Sequence, residues 1–184
     1  MPTPLELAAA ARIDELTVLV PDFPRPGILF RDLSPVFADG PALTAVTHAL
    51  VEQYAGRVDA VAGVEARGFV LAAAAAYALG VGMLVVRKSG KLPGTVLAES
   101  YALEYGEATL EVNPGTLPHG SRVLVLDDVL ATGGTLEAAT ALVERAGWVV
   151  SGVSVMLELA DLGGRARLAD RDVRALVSAG LDTR

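Results

Sequence analysis

The chain has 184 residues, no cysteine and a formal net charge of −7. The lack of cysteine excludes disulfides, thiolate zinc sites and a cysteine nucleophile. The acidic balance argues against a nucleic-acid surface and leaves a small ligand as the expected partner, in a chain whose length suits one domain over residues 1–184.

His48 and His119 are the only histidines, far apart and without metal-ligand spacing, which argues against a histidine triad or a zinc site. The N-terminal residues lack the basic, apolar and small-residue order of a secretory signal, so a cytoplasmic location is expected. Thr3-Pro4-Leu5-Glu6 has the spacing of a capping box with proline at the first helical position. Leu5, Ala9, Ile13 and Leu16 continue one apolar stripe, which predicts an N-terminal helix. In VPDFPRPGILFRDLSPVF, which follows, Pro21, Pro24 and Pro26 forbid a regular helix and predict a fixed loop. Helix returns from about Pro41 to Tyr54, with Leu43, Val46, Leu50 and Tyr54 on one face and Gly56 closing it.

From Val58 onward strand and helix alternate. VDAVAGVE (58–65) reads as a buried strand, ARGFVLAAAAAYALG as a buried helix and MLVV (83–86) as the next strand. Phe69 to Val86 is 18 residues without a charge, which meets the crude length test for a membrane helix. Its alanine content and its division at Gly80 and Gly82 predict a buried helix, a turn and a strand instead, with no membrane partner. The interval from Ser89 to Gly120 breaks the rhythm: TVLAESYALEY and EATLEV meet around Tyr105-Gly106-Glu107 like a hairpin or flap, a candidate lid. VLVLD (123–127) is a third strand, Thr135 to Ala146 a helix stopped by Gly147, VVSGVSVML (149–157) a fourth strand, and VRALVSA (173–179) a weaker one. The alternation predicts an α/β fold: a Rossmann-like central parallel sheet with right-handed crossovers, helices on both faces and a ligand crevice at the carboxyl ends of the strands.

Parallel strands gather their carboxyl ends on one edge, and that edge receives Glu65-Ala66-Arg67-Gly68, then Arg87-Lys88, then Asp127-Asp128. Two adjacent aspartates repel, and a hydrophobic strand that ends on them stabilises no core, so a partner outside the chain is expected. The ATGGT turn, Ala131 to Thr135, opens a helix whose backbone N–H groups and dipole suit an oxyanion. Gly133 and Gly134 permit close approach, and Thr132 and Thr135 add hydroxyls. The carboxylates of Asp127 and Asp128 suit paired hydroxyls such as those of a ribose. Together they read as a ribose 5-phosphate site; for the turn taken alone, the alternative is a solvated Asp-Asp loop before an ordinary helix start.

Of 15 cationic residues only Lys88 and Lys91 are lysine, and both stand in RKSGK beside Arg87. Unless the clustering is chance, compact ammonium groups there suit a phosphate, and with Arg67 they make a basic pocket fit for pyrophosphate. Glu104 on the flap is either a solvated carboxylate or a general acid or base under a closed lid. Phe30, in GILFRD, is either a core residue or a ring that stacks on a planar base while neighbouring backbone groups read the base edge.

The hydrophobic-Asp-Asp-x-x-ATGGT order of residues 123–135 resembles the phosphoribosyl pyrophosphate signature of the phosphoribosyltransferases. PDFPRPGILFRDLSP (21–35), AGVEARGF (62–69), RKSGKLPG (87–94) and ESYALEYG (99–106) resemble the further segments of the adenine-specific group. The resemblance runs from about residue 5 to the last strand. It implies a type I phosphoribosyltransferase fold with a small hood over about 1–35 and a flexible flap over about 89–120. It further implies transfer of the 5-phosphoribosyl group from phosphoribosyl pyrophosphate to adenine, giving AMP and pyrophosphate. Under it, Asp127 and Asp128 hold the ribose hydroxyls and act in catalysis, and Ala131, Thr132, Gly133, Gly134 and Thr135 cradle the 5′-phosphate. Arg67, Lys88 and Lys91 neutralise pyrophosphate, with Arg87 reaching the partner's site in a homodimer. Phe30 stacks on adenine, the backbone around Leu29 and Arg31 reads its edge, and Glu104 moves a proton at the base. No side chain binds metal directly; Mg2+ arrives with the substrate. Ala66, where the family usually has serine, and Ser89, often proline or arginine in relatives, depart from the pattern. Two alternatives stay open: the same chemistry on another base, and a non-catalytic regulator that senses phosphoribosyl pyrophosphate while binding nucleic acid, for which the chain shows no basic face.

Overall fold

The computed structural model describes residues 1–102 and 106–181. Helix α1 (Pro4–Leu16) starts on the expected capping box: the Thr3 hydroxyl accepts the Glu6 N–H at 3.2 Å, and Glu6 Oε2 accepts the Thr3 N–H at 2.7 Å. The chain then departs from the expected loop, because β1 (Val18–Pro21) and β2 (Leu29–Asp32) pair antiparallel in a two-stranded sheet of their own. The prolines permit this ribbon: Pro21 ends β1, and Pro24 and Pro26 lie in the connection, where no ladder N–H is needed. There the Gly27 N–H donates to Asp22 Oδ1 at 2.7 Å. Short α2 (Ser34–Ala38) leads to α3 (Gly40–Val51), capped by Asp39, whose carboxylate accepts the Ala42 N–H at 2.8 Å. The final turn, Glu52–Tyr54, is 3-10 rather than α.

The main sheet contains β3 (Ala60–Val64), β4 (Gly82–Lys88), β5 (Leu97–Ala102), β6 (Glu107–Val112), β7 (Arg122–Leu130), β8 (Val149–Leu159) and β9 (Val173–Ala179), in the order β5-β6-β4-β3-β7-β8-β9. Strands β4, β3, β7, β8 and β9 run parallel. The expected hairpin is β5–β6, and β6 extends the sheet antiparallel to β4. From β3 the chain steps outward to β4, returns past β3 to β7 and continues to β9. The strand order therefore reverses between β3 and β7, the place where open α/β sheets bind ligands.

Helices cover both faces. Along β7, Leu124 and Leu126 join the core under α1, α3 and α4 (Arg67–Leu79), while Val123 and Val125 join the core under α5 (Gly134–Arg145). The apolar stretch 69–86 is the rest of α4, a left-handed Gly80 at φ 68° and most of β4. No helix of the described residues is long and apolar enough to cross a membrane. Behind the β1–β2 ribbon lies a cavity of about 540 Å³, lined among others by Ile13, Leu19, Arg31, Leu157 and Val177. Arg31 donates from there to the Gly180 carbonyl at 3.0 Å.

One expectation about β7 is corrected. The strand does not stop at Asp127 but runs on to Leu130, which is fully buried in the α5-side core. The long β8 explains this by pairing Asp127 with Val155, Val129 with Leu157 and Leu130 with Glu158. On the other side, pairing with β3 ends at Gly63 opposite Leu126. The aspartates thus sit within a strand, at the point where one of its neighbours has ended.

Candidate active site

At the β3–β7 switch α4 enters almost against the sheet backbone. A β-carbon on Gly63 would lie 2.6 Å from the Gly68 carbonyl oxygen, and one on Gly68 would lie 2.9 Å from that of Leu126. This close approach brings Arg67, at the start of α4, onto Asp128: the guanidinium Nε donates to Asp128 Oδ2. The Asp128 side chain is 8 % exposed and that of Arg67 47 %, so the pair has one dry and one wet end. Arg67 also reaches toward the ribbon. The Asp32 carboxyl is held below its ordinary range first by hydrogen bonds from Ser34 and, in a smaller part, by the Arg67 charge.

Asp127 is half-buried, and its Oδ1 accepts the Asp128 N–H at 2.9 Å. Its carboxyl is pushed well above the ordinary range, by burial first and by the Asp128 charge second. A carboxyl raised in the folded state stabilises the fold only below the ordinary carboxylate range and withdraws that stability as pH rises. At neutral pH the Asp127 carboxylate, beside Asp128, therefore costs the protein stability. Asp127→Asn, which retains an oxygen for the Asp128 N–H, is expected to raise Tm at pH 7 while lowering turnover. In a chain of this size each kcal/mol relieved raises Tm by about 2–4 °C. A Tm that stays put or falls would show that the Asp127 carboxylate carries no such cost.

Past Leu130, the ATGGT turn opens a helix as expected. Gly133 takes φ 85° as the residue before α5, which starts at Gly134 rather than Thr135. Left-handed backbone there leads into a 12-residue helix, whose first N–H groups have no partner within the helix. The turn is backed by Gly164, the first residue of the short α6 (Gly164–Arg167): a β-carbon on Gly133 would lie 2.7 Å from the Gly164 carbonyl oxygen, and one on Gly164 would collide with that of Ala131. Thr132 is exposed, while Ala131 and Thr135 are half-buried.

The basic residues come from β4 and the loop after it. Glu65, which ends β3's run into the crevice, organises them. Its Oε1 receives the Lys91 ammonium, its Oε2 accepts the Lys88 N–H at 3.0 Å, and Arg87 Nε lies 3.6 Å away. The Lys91 contact first, then the Lys88 N–H, hold the Glu65 carboxyl below its ordinary range. Arg87 also donates to the Lys91 carbonyl at 3.2 Å. The peptide between Glu65 and Ala66 is cis. Ala66 and the Lys88 side chain are exposed.

On the ribbon, Phe30 is half-buried, belongs to neither core cluster, and meets the edge of Phe23 with ring centroids 5.1 Å apart and planes at 72°. Leu29 and Arg31 flank it in β2. Glu104 lies outside the described residues.

A phosphoribosyl transferase domain is matched over residues 39–165, a span that begins after the ribbon and α2. An adenine phosphoribosyltransferase of Clavibacter michiganensis subsp. michiganensis is 69 % identical over 94 % of this chain and 98 % of its own. The crystal structure of adenine phosphoribosyltransferase from Thermoanaerobacter pseudethanolicus superposes with a TM-score of 0.88 at 40 % identity, over 92 % of this chain and 99 % of that one. The enzyme from Saccharomyces cerevisiae, solved with adenine and an imino-altritol bisphosphate, has a TM-score of 0.87 at 35 % identity, over 92 % and 99 %. The chain belongs to the adenine phosphoribosyltransferase family. Its sheet and flanking helices are the type I phosphoribosyltransferase fold.

Against the family pattern, the structure brings Arg67, Asp127, Asp128 and the cradle 131–135 together at the switch point, with Arg87, Lys88 and Lys91 tied to it through Glu65. Two residues of this adenine phosphoribosyltransferase site had no role assigned from sequence. Glu65 could have been found from its position two residues before Arg67 at a strand end. Gly164 carried no local signal, because its role depends on a contact with a turn distant in the chain.

Proposed function

We propose that the chain transfers a 5-phosphoribosyl group from phosphoribosyl pyrophosphate to adenine, giving AMP and pyrophosphate, and that the residues at the switch point carry the reaction. One observation supports this most: two carboxylates lie in β7 directly ahead of a glycine-led helix N-terminus, with a basic loop at the end of β4, one strand beyond β3. In this reading Asp127 and Asp128 accept the ribose 2′ and 3′ hydroxyls. Ala131, Thr132, Gly133, Gly134 and Thr135 take the 5′-phosphate. Arg67, Lys88 and Lys91 hold the pyrophosphate. The bond from the anomeric carbon to the pyrophosphate oxygen breaks with its electron pair, and adenine N9 supplies the pair that forms the new bond. Positive charge that grows on the ribose ring is stabilised by the two carboxylates, and Glu104 takes the proton released at the base.

Phe30, with the backbone of Leu29 and Arg31, reads the base, as the hood; the flap, residues 89–120, excludes water. Mg2+ fits this site as a partner of the substrate. Mg2+ binds through one or two carboxylates together with substrate phosphates, and Asp127 and Asp128 place two carboxylates beside the turn proposed to take the 5′-phosphate. When bound it supplies positive charge against the leaving pyrophosphate. The cytoplasmic compartment rests on the sequence reading alone.

The chain acts as a homodimer in this reading, with Arg87 directed to the partner's site. The outer face of α4 supports it: Val70, Ala73, Tyr77 and Ala78 recur at helical spacing and are exposed, Tyr77 at 91 %. The test is pyrophosphate release with Mg2+ and phosphoribosyl pyrophosphate against adenine, hypoxanthine, guanine, xanthine, uracil and orotate in parallel. Turnover confined to adenine is expected. Turnover with another base moves the specificity, and silence with all six overturns the activity. Light scattering on the same preparation is expected to give twice 19.0 kDa; a species of 19.0 kDa removes the dimer.

A further inference from the structure

The basic loop is gripped from two sides, and the second grip has no part in the chemistry above. Glu111, on β6 and 7 % exposed, stands opposite Arg87 in the β4–β6 register. Its Oε1 accepts the Ser89 hydroxyl at 2.9 Å and its Oε2 the Gly90 N–H at 3.0 Å, while the Ser89 N–H goes to the Thr109 carbonyl at 3.0 Å. Among the described residues no cation lies within ion-pair distance of Glu111. A carboxyl group withdrawn from water for one hydroxyl and one peptide N–H is an expensive way to close a surface loop, since any neutral acceptor would satisfy those donors. What distinguishes the loop is its other two residues: Lys88 and Lys91 flank the tethered pair directly, and Gly90 turns it at φ 78°.

The geometry points to Glu111 as a positioning residue for the pyrophosphate group. By fixing Ser89 and Gly90 from behind, it sets the backbone that presents Lys88 and Lys91 to the crevice, with Glu65 holding the front. Ser89 is the hydroxyl partner this arrangement uses. The inference rests on the assignment of Lys88 and Lys91 to pyrophosphate. Glu111 acts through them and touches no substrate.

The test compares wild type, Glu111→Ala, Glu111→Gln and Ser89→Ala, varying phosphoribosyl pyrophosphate and adenine separately and measuring product inhibition by pyrophosphate. Glu111→Ala is expected to raise KM for phosphoribosyl pyrophosphate by about tenfold, and the inhibition constant for pyrophosphate in step. Glu111→Gln, which keeps one acceptor, and Ser89→Ala, which removes one donor, are each expected to raise both by about threefold. Adenine KM and kcat stay within about twofold of wild type. Ser89→Ala adds less in the Glu111→Ala background than alone, because the two share one contact. An unchanged KM for phosphoribosyl pyrophosphate in an active set, or a lowered Tm with both KM values intact, overturns the inference and leaves Glu111 a structural residue. If Glu111→Ala does not fold, the other two variants decide the same question. Inactive wild type would instead overturn the activity itself, and this inference with it.

Discussion

Asp128→Asn lowers kcat for phosphoribosyl transfer by about 10²-fold or more, the range lost when a preorganised charge aimed at the transition state is removed. Asparagine has the same shape and can still accept from Arg67 Nε, so the loss isolates charge from geometry. The Asp128 side chain is 8 % exposed, which keeps its field from being screened by water where positive charge develops on the ribose ring. Adenine KM should move by no more than about twofold, because on the proposed reading the base is read from the β1–β2 ribbon and not from β7. Steady-state kinetics with each substrate varied gives the answer, and a rate equal to wild type would remove Asp128 from this role.

The second large effect is expected at Gly133. Alanine there must adopt φ 85°, which costs a side-chain-bearing residue about 1–3 kcal/mol, and its β-carbon would lie 2.7 Å from the Gly164 carbonyl oxygen. Backbone, not a pliable side chain, is what it meets, so the turn must move and carry the N–H groups of the cradle away from the phosphate. KM for phosphoribosyl pyrophosphate is expected to rise by about 10–100-fold, at about 1.4 kcal/mol per factor of ten. Gly164→Ala, pressing on the same turn through the Ala131 carbonyl, should reproduce the effect. Wild-type KM in both variants would mean that the turn does not hold the phosphate.

The path from strand end to site was legible where chemistry is local. Asp127-Asp128, the ATGGT turn and the Arg87-Lys88-Ser89-Gly90-Lys91 loop are contiguous, and their positions followed from alternation of strands and helices alone. The capping box of Thr3 and Glu6 was equally readable, because its donors and acceptors are three residues apart. The ribbon was missed because three prolines in 20–27 read as a veto on structure, whereas two of them occupy the connection and one ends a strand. The reach of β7 past its aspartates was not readable, since it depends on the length of β8 rather than on β7 itself. Glu111 fell in the same class. In EATLEV it carries no signal of its own, and only the pairing of β6 with β4 turns it inward to Ser89 and Gly90.

The two-stranded ribbon has a consequence for how enzymes of this architecture diverge. It shares no ladder hydrogen bond with the seven-stranded sheet, and a cavity of about 540 Å³ lies behind it. Residues there can be exchanged, and the connection between Pro21 and Leu29 lengthened or shortened, without shifting the register of any strand that holds the phosphoribosyl end. On the proposed reading, base preference can therefore drift, or be redesigned by grafting, while the sugar-phosphate chemistry is inherited intact.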